Sequence, residues 1–349
     1  MHAGLHLYEL NAQLASWGVA VANLGAIAMQ TVGGATATGT HGKGPTGSLS
    51  TFVQGGTLVL ANGSAVNVSA TSHGEVWAAA RTGYGALGVF VWLEVSVLAQ
   101  WTMELVTAPW PLSSLLSRDL PALRAQYERL QWYYTPYAGG GGATVVIRAN
   151  TSAAITTGCW NPAQPLGPPV TPPPAGMTAW PAGTTGCVDV SYRTMTHDGD
   201  DASLYTEMEL MVDEASDVAL ATDVLAFQAA VQVRHDPAVQ LFTGYRYVAA
   251  DDITLSPFNG RDTVVLSMIV IGNATDGGNQ TEVALYDEGL ETVAAAYSAR
   301  PHPGKWNTFD ATGMAHAYEG SYSAFVALRD ELDPQRVFSN AYLSRLFGP

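Results

Sequence analysis

The spacing of hydrophobic positions changes along the chain, and both helical and strand periods occur. Apolar residues recur every three to four positions over residues 5–17, which predicts a helix ending at Gly18. Two β-rich runs then predict a hairpin over residues 50–70. Residues 74–99 predict a helix, a glycine turn and a strand. Because Glu94 interrupts the valine-rich run of that strand, we expect it to be a buried strand and not a membrane span.

From about residue 100 the pattern alternates between helices and strands, and no internal repeat is found. The predicted helices cover 120–134, 221–234 and 288–300, and the predicted strands cover 142–149, 203–212, 240–257 and 262–272. The intervening stretch 159–187 is rich in proline and glycine, which predicts an exposed loop. The class is therefore α+β, with two domains expected at 1–99 and 100–349.

Composition limits the classes of partner. Hydrophobic residues make up 47% of the chain and charged residues 13%, which is typical of a globular protein. The net charge of −15 argues against nucleic acid or an anionic membrane surface as the main partner. No signal peptide is visible at the start and no transmembrane segment is predicted, so membrane association stays open without being encoded by a visible span.

Two cysteines and five N-x-[ST] triplets bear on the cellular compartment in which the protein is expected. Cys159 and Cys187 bracket the proline-rich loop, and a disulfide could close across it in an oxidising compartment. Five glycosylation triplets in loop-like contexts favour the secretory pathway or the cell exterior. The alternative is a set of idle triplets beside two free thiols. The triplets begin at Asn62, Asn67, Asn150, Asn273 and Asn279.

Lysine is nearly absent from this chain. Lys43 and Lys305 are the two lysines, and arginine supplies the rest of the positive charge. Lys305 lies in "ARPHPGKWNTFD" (299–310), where a compact, strongly hydrated ammonium differs from the planar guanidinium of arginine. A structural salt bridge or a side chain snorkelling at the surface is the alternative to a functional role.

A glycine-dense stretch, "GGATATGTHGKG" (33–44), is predicted to be a loop. It carries neither a Walker lysine followed by Ser or Thr nor a G-x-G-x-x-G that opens a helix. Its small residues would let the backbone approach a flat ring or a pyrophosphate closely, with N–H groups as donors. A tight structural turn is an equally good explanation of the stretch by itself.

Several ordered motifs resemble one flavoprotein family. Residues 10–44 resemble the second half of the FAD-binding domain of the aldonolactone oxidases, which are flavoproteins of the vanillyl-alcohol-oxidase type. Residues 81–97 are similar to that family's glycine turn and strand beside the adenosine part of FAD. "RPHPGK" (300–305) resembles its R-P-H-W-G-K motif with Pro303 in the tryptophan position, and residues 333–348 resemble its terminal arm. The resemblance implies a PCMH-type FAD-binding domain followed by an α+β substrate domain whose C-terminal arm returns to the flavin.

The resemblance also implies roles for individual residues. Lys305 matches the lysine that faces the N1/C2=O edge of the flavin, where a cation stabilises negative charge during hydride transfer. Arg246 matches the arginine that holds the oxygens of the sugar lactone, and His302 matches a histidine that positions substrate or lysine, with a structural role as the alternative. The cofactor-binding residues expected for FAD are Gly33, Gly34, Ala35, Thr38, Gly39, Thr40, His41, Gly42, Gly88 and Val89.

Two departures from the family pattern stand out. The acid expected two residues before Arg246 is Gly244 here, which leaves the base unassigned. Glu207 and Glu209 share one face of a strand and could substitute, but we expect an outward, solvated carboxylate pair. The chain also starts near the family's A-G-x-x-L-x-x-L motif, so we expect the first half of the FAD-binding domain to be absent. No metal-ligand set and no nucleophile–His–Asp arrangement is predicted.

By resemblance, the expected function is FAD-dependent oxidation of an aldono-1,4-lactone, such as L-gulono-1,4-lactone, with O2 as acceptor, in ascorbate-type biosynthesis. Small-molecule lactone and O2 are then the partners. An alditol or sugar oxidase with the same machinery is the alternative within the class. A catalytically silent secretory glycoprotein that no longer holds FAD is the alternative outside it.

Overall fold

The computed structural model describes residues 1–137, 141–156, 159, 166–196, 205–235, 239–271 and 283–349. The helices in these ranges are α1 (Leu7–Ser16), α2 (Val32–Ala37), α3 (Gly74–Ala80), α4 (Leu112–Ser114), α5 (Leu120–Gln126), α6 (Ser191–Met195), α7 (Asp217–Val231), α8 (Gly289–Ala295), α9 (Ala311–Ala317), α10 (Ser321–Leu332) and α11 (Ala341–Phe347). The strands are β1 (Val19–Ala20), β2 (Val53–Val59), β3 (Ala65–Ser69), β4 (Val89–Val95), β5 (Leu98–Ala99), β6 (Thr102–Pro111), β7 (Leu130–Tyr134), β8 (Gly142–Thr151), β9 (Thr185–Val190), β10 (Tyr205–Asp213), β11 (Gln240–Val248), β12 (Thr263–Ile271) and β13 (Arg300–Pro301).

A large antiparallel sheet dominates the second part of the chain. Its eight strands run in the order β13-β10-β12-β11-β7-β8-β6-β9, and every neighbouring pair is antiparallel. The first part contains a three-stranded sheet, β3-β2-β4, and a short β1-β5 pair. Helices and antiparallel sheets are thus mixed, which confirms the predicted α+β class.

Helices bury one face of the large sheet, and the other face carries the residues that can reach a ligand. Along β11, Leu241, Tyr245 and Tyr247 are buried in a core with residues of α5, α7 and α8. Because side chains alternate across a strand, Gly244 and Arg246 lie on the opposite face, where burial is intermediate. The alternation therefore decides which residues of β11 can reach a ligand.

A second core joins the two ends of the chain. Leu7 of α1, Leu58 of β2 and Leu93 of β4 share one buried cluster with residues of α10 and α11, including Phe325 and Phe347. The C-terminal segment thus packs against the N-terminal part of the chain and not on the helical face of the large sheet. Burial of this apolar surface is the main stabilising contribution to that contact.

Two predicted elements in the large sheet are wrong at their ends. The helix predicted over 120–134 stops at Gln126, and the end of that range forms β7, where Leu130, Trp132 and Tyr134 are buried alternately. Pairing with β8 and β11 outweighs the helical spacing. The strand predicted over 240–257 ends at Val248, because the Asp251 carboxylate accepts the Ile253 amide at 3.1 Å and holds a turn.

Two predictions in the first part of the chain are also wrong. The glycine-dense stretch is not simply a loop, since it contains α2, whose first turn is capped by Thr31 accepting the Gly34 amide at 3.2 Å. The strand β4 is mostly exposed and not buried, with Trp92 47% accessible. It lies at the edge of a three-stranded sheet, so only one of its faces packs against the core.

The predicted disulfide is present between Cys159 and Cys187, which overturns the alternative of two free thiols. The proline-rich loop it closes is mostly exposed where it is described, but the Glu104 carboxylate accepts the Val170 amide at 2.7 Å and the Thr171 amide at 2.6 Å. Of the triplet asparagines, Asn62, Asn67 and Asn150 are exposed, and Asn273 and Asn279 fall outside the described residues. Among the described residues, no helix has the length and apolar character needed to cross a membrane.

Candidate active site

A cavity of about 460 Å³ lies between the open face of the large sheet and a loop wall from the first part of the chain. The loop wall consists of Gly25, Ala26, Ile27, Gln30, Thr40 and His41. The sheet wall carries the polar side chains of Gln131, Glu207, Glu209 and Arg246 beside the apolar side chains of Phe242, Ile269 and Ile271. The turn after β13 closes one end with His302, Gly304 and Lys305. A second cavity of about 620 Å³, beside Arg124, contains none of the predicted site residues.

Strand register brings the polar residues of the sheet wall together. Glu209 pairs across the sheet with Ser267, which in turn pairs with Gly244. Glu207 lies two positions earlier on β10 and so faces the same side. The expectation of an outward, solvated carboxylate pair is wrong: the side chains of Glu207 and Glu209 are 8% and 2% exposed. Packing of the loop wall against this face, which the strand pattern does not reveal, is the reason.

Lys305 forms an ion pair with Glu207 inside the cavity. Ser267 Oγ donates to the other oxygen of Glu207 at 2.9 Å, so both carboxylate oxygens have partners. The Trp306 amide donates to the Glu207 carbonyl at 3.1 Å, which ties the turn to β10. Burial acts to lower the pKa of Lys305, but Glu209 and Glu207 outweigh it and hold that pKa above its usual value. The ammonium is therefore a fixed cation at this end of the cavity.

His302 is buried and neutral. Its Nδ1 accepts the Gly304 amide at 2.9 Å, so the ring proton is on Nε2, which lies 3.9 Å from Glu209 Oε2. Burial lowers the pKa of His302 to about 3, with further lowering by neighbouring cations. The His302 amide also donates to the Glu209 carbonyl at 3.0 Å. His302 thus holds the turn on β10 and directs an N–H towards the Glu209 carboxylate.

Glu209 is the most enclosed acid of the cavity. His41 Nε2 lies 3.3 Å from Oε2, and Arg246 Nη2 lies 3.4 Å from Oε1. Burial acts to raise the pKa of Glu209, but Arg246, His41 and Lys305 outweigh it, so that pKa is well below its usual value. Glu209 is therefore a carboxylate at neutral pH. The sequence could have indicated the enclosed position of Glu209 only through the spacing of Glu207 and Glu209 on one strand face.

The donor atoms of His41, Glu209 and His302 all lie within 4.8 Å of one another, which is a spacing that metal ions use. The hydrogen bonds favour a proton network over metal ligation. His302 Nε2 carries the ring proton because Nδ1 accepts an amide, and a metal needs that lone pair free. Arg246 beside Glu209 adds positive charge where a cation would bind.

The predicted cofactor residues are divided between several places. Thr40 and His41 line the cavity. Thr38 lies close to the closing turn, since a Cβ on Gly304 would come within 3.3 Å of Thr38 Cβ. Gly33, Gly34 and Ala35 belong to α2, Gly39 adopts a φ of +65°, and Gly42 packs on Asn23. Gly88 packs against Leu58 and Val59, while Val89 is exposed on β4. Neither Gly88 nor Val89 lines the cavity.

The residues present fit the isoalloxazine part of FAD. Part of the loop wall is built of the small residues Gly25 and Ala26, and a Cβ on Gly25 would come within 2.8 Å of Thr40 Cγ2, so the backbone itself forms this part of the surface. The opposite wall combines flat apolar surface from Phe242 and Ile269 with a cation at Lys305. A flat ring with one apolar edge and one polar edge matches both features.

A buried cationic cluster lies outside this cavity. Lys43, Arg129 and Arg148 line a small internal space and are each at most 7% exposed. Burial, together with Arg148 and Arg246, lowers the pKa of Lys43 well below its usual value. The sequence drew attention to Lys43 by its rarity, but its place in the structure is in the interior and not in the wall of the cavity.

Comparisons with known proteins find similarity to flavin-dependent oxidoreductases. Residues 191–346 match the family model described as D-arabinono-1,4-lactone oxidase, and residues 1–69 match an FAD binding domain. An L-gulonolactone oxidase of Bos taurus is 26% identical, with 99% of this chain and 80% of that protein aligned. An L-gulono-1,4-lactone dehydrogenase of Mycobacterium tuberculosis is 26% identical over 100% of this chain and 81% of its own length. An alditol oxidase of a Streptomyces species is 29% identical over 98% of this chain and 79% of its own length.

Proposed function

We propose that the chain is an FAD-dependent oxidoreductase of the aldonolactone oxidase family, whose model matches residues 191–346, and that it oxidises an aldono-1,4-lactone such as L-gulono-1,4-lactone at C2. O2 is the proposed electron acceptor, with peroxide as the second product, in an ascorbate-forming reaction. The observation that carries the proposal is the juxtaposition of Lys305 and Arg246 in one cavity that also fits a flavin ring. Bound FAD supplies the two-electron oxidation.

Arg246 is the proposed binding residue for the lactone. Its guanidinium reaches the cavity from β11 with a side chain only 12% exposed, and Glu209 holds it at 3.4 Å. A guanidinium held in this way presents its remaining N–H donors in a fixed fork, which suits the ring and carbonyl oxygens of a lactone. Arg246 therefore orients the sugar ring and excludes water from the oxygens that it contacts.

Lys305 is proposed to stabilise the negative charge that accumulates on the cofactor's polar edge during the reaction. Its ion pair with Glu207 fixes the ammonium in position before substrate arrives, so that no reorganisation is needed in the transition state. His302 is proposed to keep the turn of Lys305 in register with β10 through its amide and its ring. Thr40 and His41 are the residues proposed to contact the ring from the loop wall, and Thr38 is proposed to contact it from beside the closing turn.

We propose the same organisation for the chain as a whole. Residues 1–99 form part of the FAD-binding domain and residues 100–349 the substrate domain, whose last helices return to the first part. Secretion with glycosylation is proposed from the exposed Asn62, Asn67 and Asn150 and the Cys159–Cys187 disulfide. An alditol is the alternative substrate, because an alditol oxidase is among the relatives. A silent glycoprotein without FAD is the alternative that Gly244 favours.

The deciding experiment is the visible absorption spectrum of the purified protein after addition of FAD and removal of free cofactor. We expect the two visible-range bands of bound oxidised flavin. Their bleaching by L-gulono-1,4-lactone under anaerobic conditions, and not by xylitol, would support the lactone assignment, and the reverse would support an alditol. Peroxide release on admission of air tests O2 as acceptor. A colourless protein after FAD addition would contradict the enzyme proposal.

A further inference from the structure

The cavity needs a proton acceptor, and its described walls offer two carboxylates. Oxidation of a hydroxyl releases one proton together with the hydride. Gly244 has no side chain, and Glu207 has both oxygens engaged by Lys305 and Ser267. Glu209 is the remaining acid in the part of the cavity wall that the structure describes.

One oxygen of Glu209 is poised to accept. Within the described residues Oε1 accepts no hydrogen bond, although the side chain is only 2% exposed and lines the cavity. Arg246 Nη2 lies 3.4 Å away, close enough for attraction but without the geometry of a hydrogen bond. A buried carboxylate oxygen without a hydrogen bond is costly, and such atoms call for a specific explanation. A substrate hydroxyl donating to Oε1 supplies one.

The second oxygen of Glu209 is held by His41. The imidazole Nδ1 lies 3.2 Å from the Gly42 carbonyl and Nε2 lies 3.3 Å from Glu209 Oε2. Both neighbours are acceptors, so the ring satisfies both when each of its nitrogens carries a hydrogen. Phe258 packs edge-on at 5.0 Å and fixes the plane of the ring. The Glu209 carboxylate thus faces His41 through Oε2, and its Oε1 is buried without a hydrogen bond in the described residues.

We propose that Glu209 is the catalytic residue that accepts the proton of the oxidised hydroxyl, and that His41 is the positioning residue that aims its carboxylate. The inference rests on the proposed function and assigns the base that the glycine at position 244 leaves undefined. Glu209 reaches the cavity from β10. It pairs with Ser267 of β12, and Ser267 pairs with Gly244 of β11. The strand pairing therefore places Glu209 on the same face as Arg246.

The step balances with the flavin as the two-electron oxidant. The C2–H bond breaks with both electrons leaving as hydride to bound FAD, the C2=O bond forms, and the hydroxyl proton moves to Glu209 Oε1. A hydroxyl becomes strongly acidic as hydride leaves its carbon, so a carboxylate of low basicity suffices.

The test follows anaerobic bleaching of the flavin-loaded protein by L-gulono-1,4-lactone, with xylitol as a second probe. Glu209→Gln keeps the size and an acceptor for Arg246 but cannot take up a proton. We expect bleaching slower by about 10²–10³-fold. Glu104→Gln is the matched control: it removes another buried carboxylate of the same sheet, one that binds the proline-rich loop. Its bleaching rate should stay close to that of the natural chain.

The pH profile separates proton acceptance from a structural role. The bleaching rate of the natural chain should fall only at acidic pH, where Glu209 becomes protonated. His41→Asn removes a ring whose interaction with Glu209 lowers the pKa of that acid, so this acid limb should move to higher pH by about one unit. In Glu209→Gln the limb should vanish. The charged or titratable groups that face Glu209 are His41, Arg246, His302, Lys305 and, two positions along β10, Glu207.

A readout without flavin tests the pairing directly. In the cofactor-free protein, nitrogen NMR of labelled histidine should resolve the His41 Nε2 signal, and that signal should shift in Glu209→Gln because its carboxylate neighbour is lost. A His41 Nε2 signal that is the same in the natural chain and in Glu209→Gln would overturn the positioning role of His41. Unchanged bleaching in Glu209→Gln would overturn the role of Glu209 alone. Failure of both probes to bleach a flavin-loaded natural chain would instead overturn the proposed function, and the proton acceptor with it.

Discussion

At the scale of single residues, the two lysines illustrate opposite uses of one side chain. Lys305 faces a cavity and has an acid partner in Glu207, which keeps it charged. Lys43 is buried beside Arg148 without an ion pair to any carboxylate in the described residues, and its pKa is lowered. The rarity of lysine marked both positions, but only the burial and the neighbouring charges distinguish a fixed cation from a suppressed one.

Replacing Lys305 by Met should raise the barrier for flavin bleaching by about 2–4 kcal/mol, because the transition state loses a fixed cation. The rate of bleaching after anaerobic mixing with L-gulono-1,4-lactone measures this change in the barrier. Lys305→Arg is the matched variant, since it restores charge but not the compact ammonium, and we expect partial recovery. A Lys305→Met protein that bleaches as fast as the natural chain would refute the role.

Replacing Lys43 by Met should stabilise the protein near neutral pH and flatten its pH dependence. The folded state releases the Lys43 proton at lower pH than the unfolded chain does, because burial comes first among the causes and Arg148 and Arg246 add to it. Between the lowered folded pKa and about 10.4, the unfolded state therefore binds more protons and stability rises with pH. Urea unfolding at several pH values measures the slope, and an unchanged slope in Lys43→Met would contradict this account.

At the scale of elements, alternation and register build the candidate site. Glu207 and Glu209 face the cavity because they are two apart on β10, and Arg246 joins them because β11 pairs with β12 in the observed register. A one-residue slip would turn all of these side chains into the helical core. The loop across residues 166–183 is held on the sheet by Glu104 and closed by the disulfide.

Removing the disulfide should destabilise the protein without changing the cavity. Cys159 and Cys187 are separated by 28 positions, and in the chain-entropy model opening a loop of this size costs about 3.6 kcal/mol. Cys159→Ser/Cys187→Ser should therefore unfold at lower urea concentration, while its affinity for FAD stays the same. A natural chain that loses no stability on reduction with dithiothreitol would contradict the prediction.

At the scale of the whole molecule, the return of the C-terminal helices to the first part of the chain supports the turn that carries Lys305. Phe347 is 4% exposed. Its ring centroid lies 5.0 Å from that of Phe325 and 5.3 Å from that of Tyr84, which it meets edge-on. Tyr342 Oη donates to the Pro303 carbonyl at 2.9 Å, which joins α11 to the turn that carries Lys305. The arm therefore couples the core of the first part to the polar end of the cavity.

Replacing Phe347 by Ala should cost about 3–5 kcal/mol of unfolding free energy, because it leaves a cavity in a packed aromatic cluster. We also expect weaker FAD binding, since the arm holds the turn of Lys305. Val337→Ala, on the same arm but 57% exposed, is the control and should change neither quantity by much. Chemical unfolding gives the unfolding free energy, and flavin titration gives the affinity for FAD. An equal effect of both variants would argue against coupling through the arm.

The sequence by itself determined the class of the fold, the ends of several helices and strands, the cysteine pair and the resemblance to a flavoprotein family. These follow from local periodicity, turn chemistry and ordered motifs, which depend on neighbours along the chain. It also singled out Lys305, Arg246 and His302, whose roles stay predictions. Only the tertiary structure decided that residues 130–134 form β7, that Glu209 is buried against His41, and that Gly88 lies away from the cavity. Burial and charge pairing come from residues far apart in the chain, such as His41 and Glu209, so no local pattern carries them.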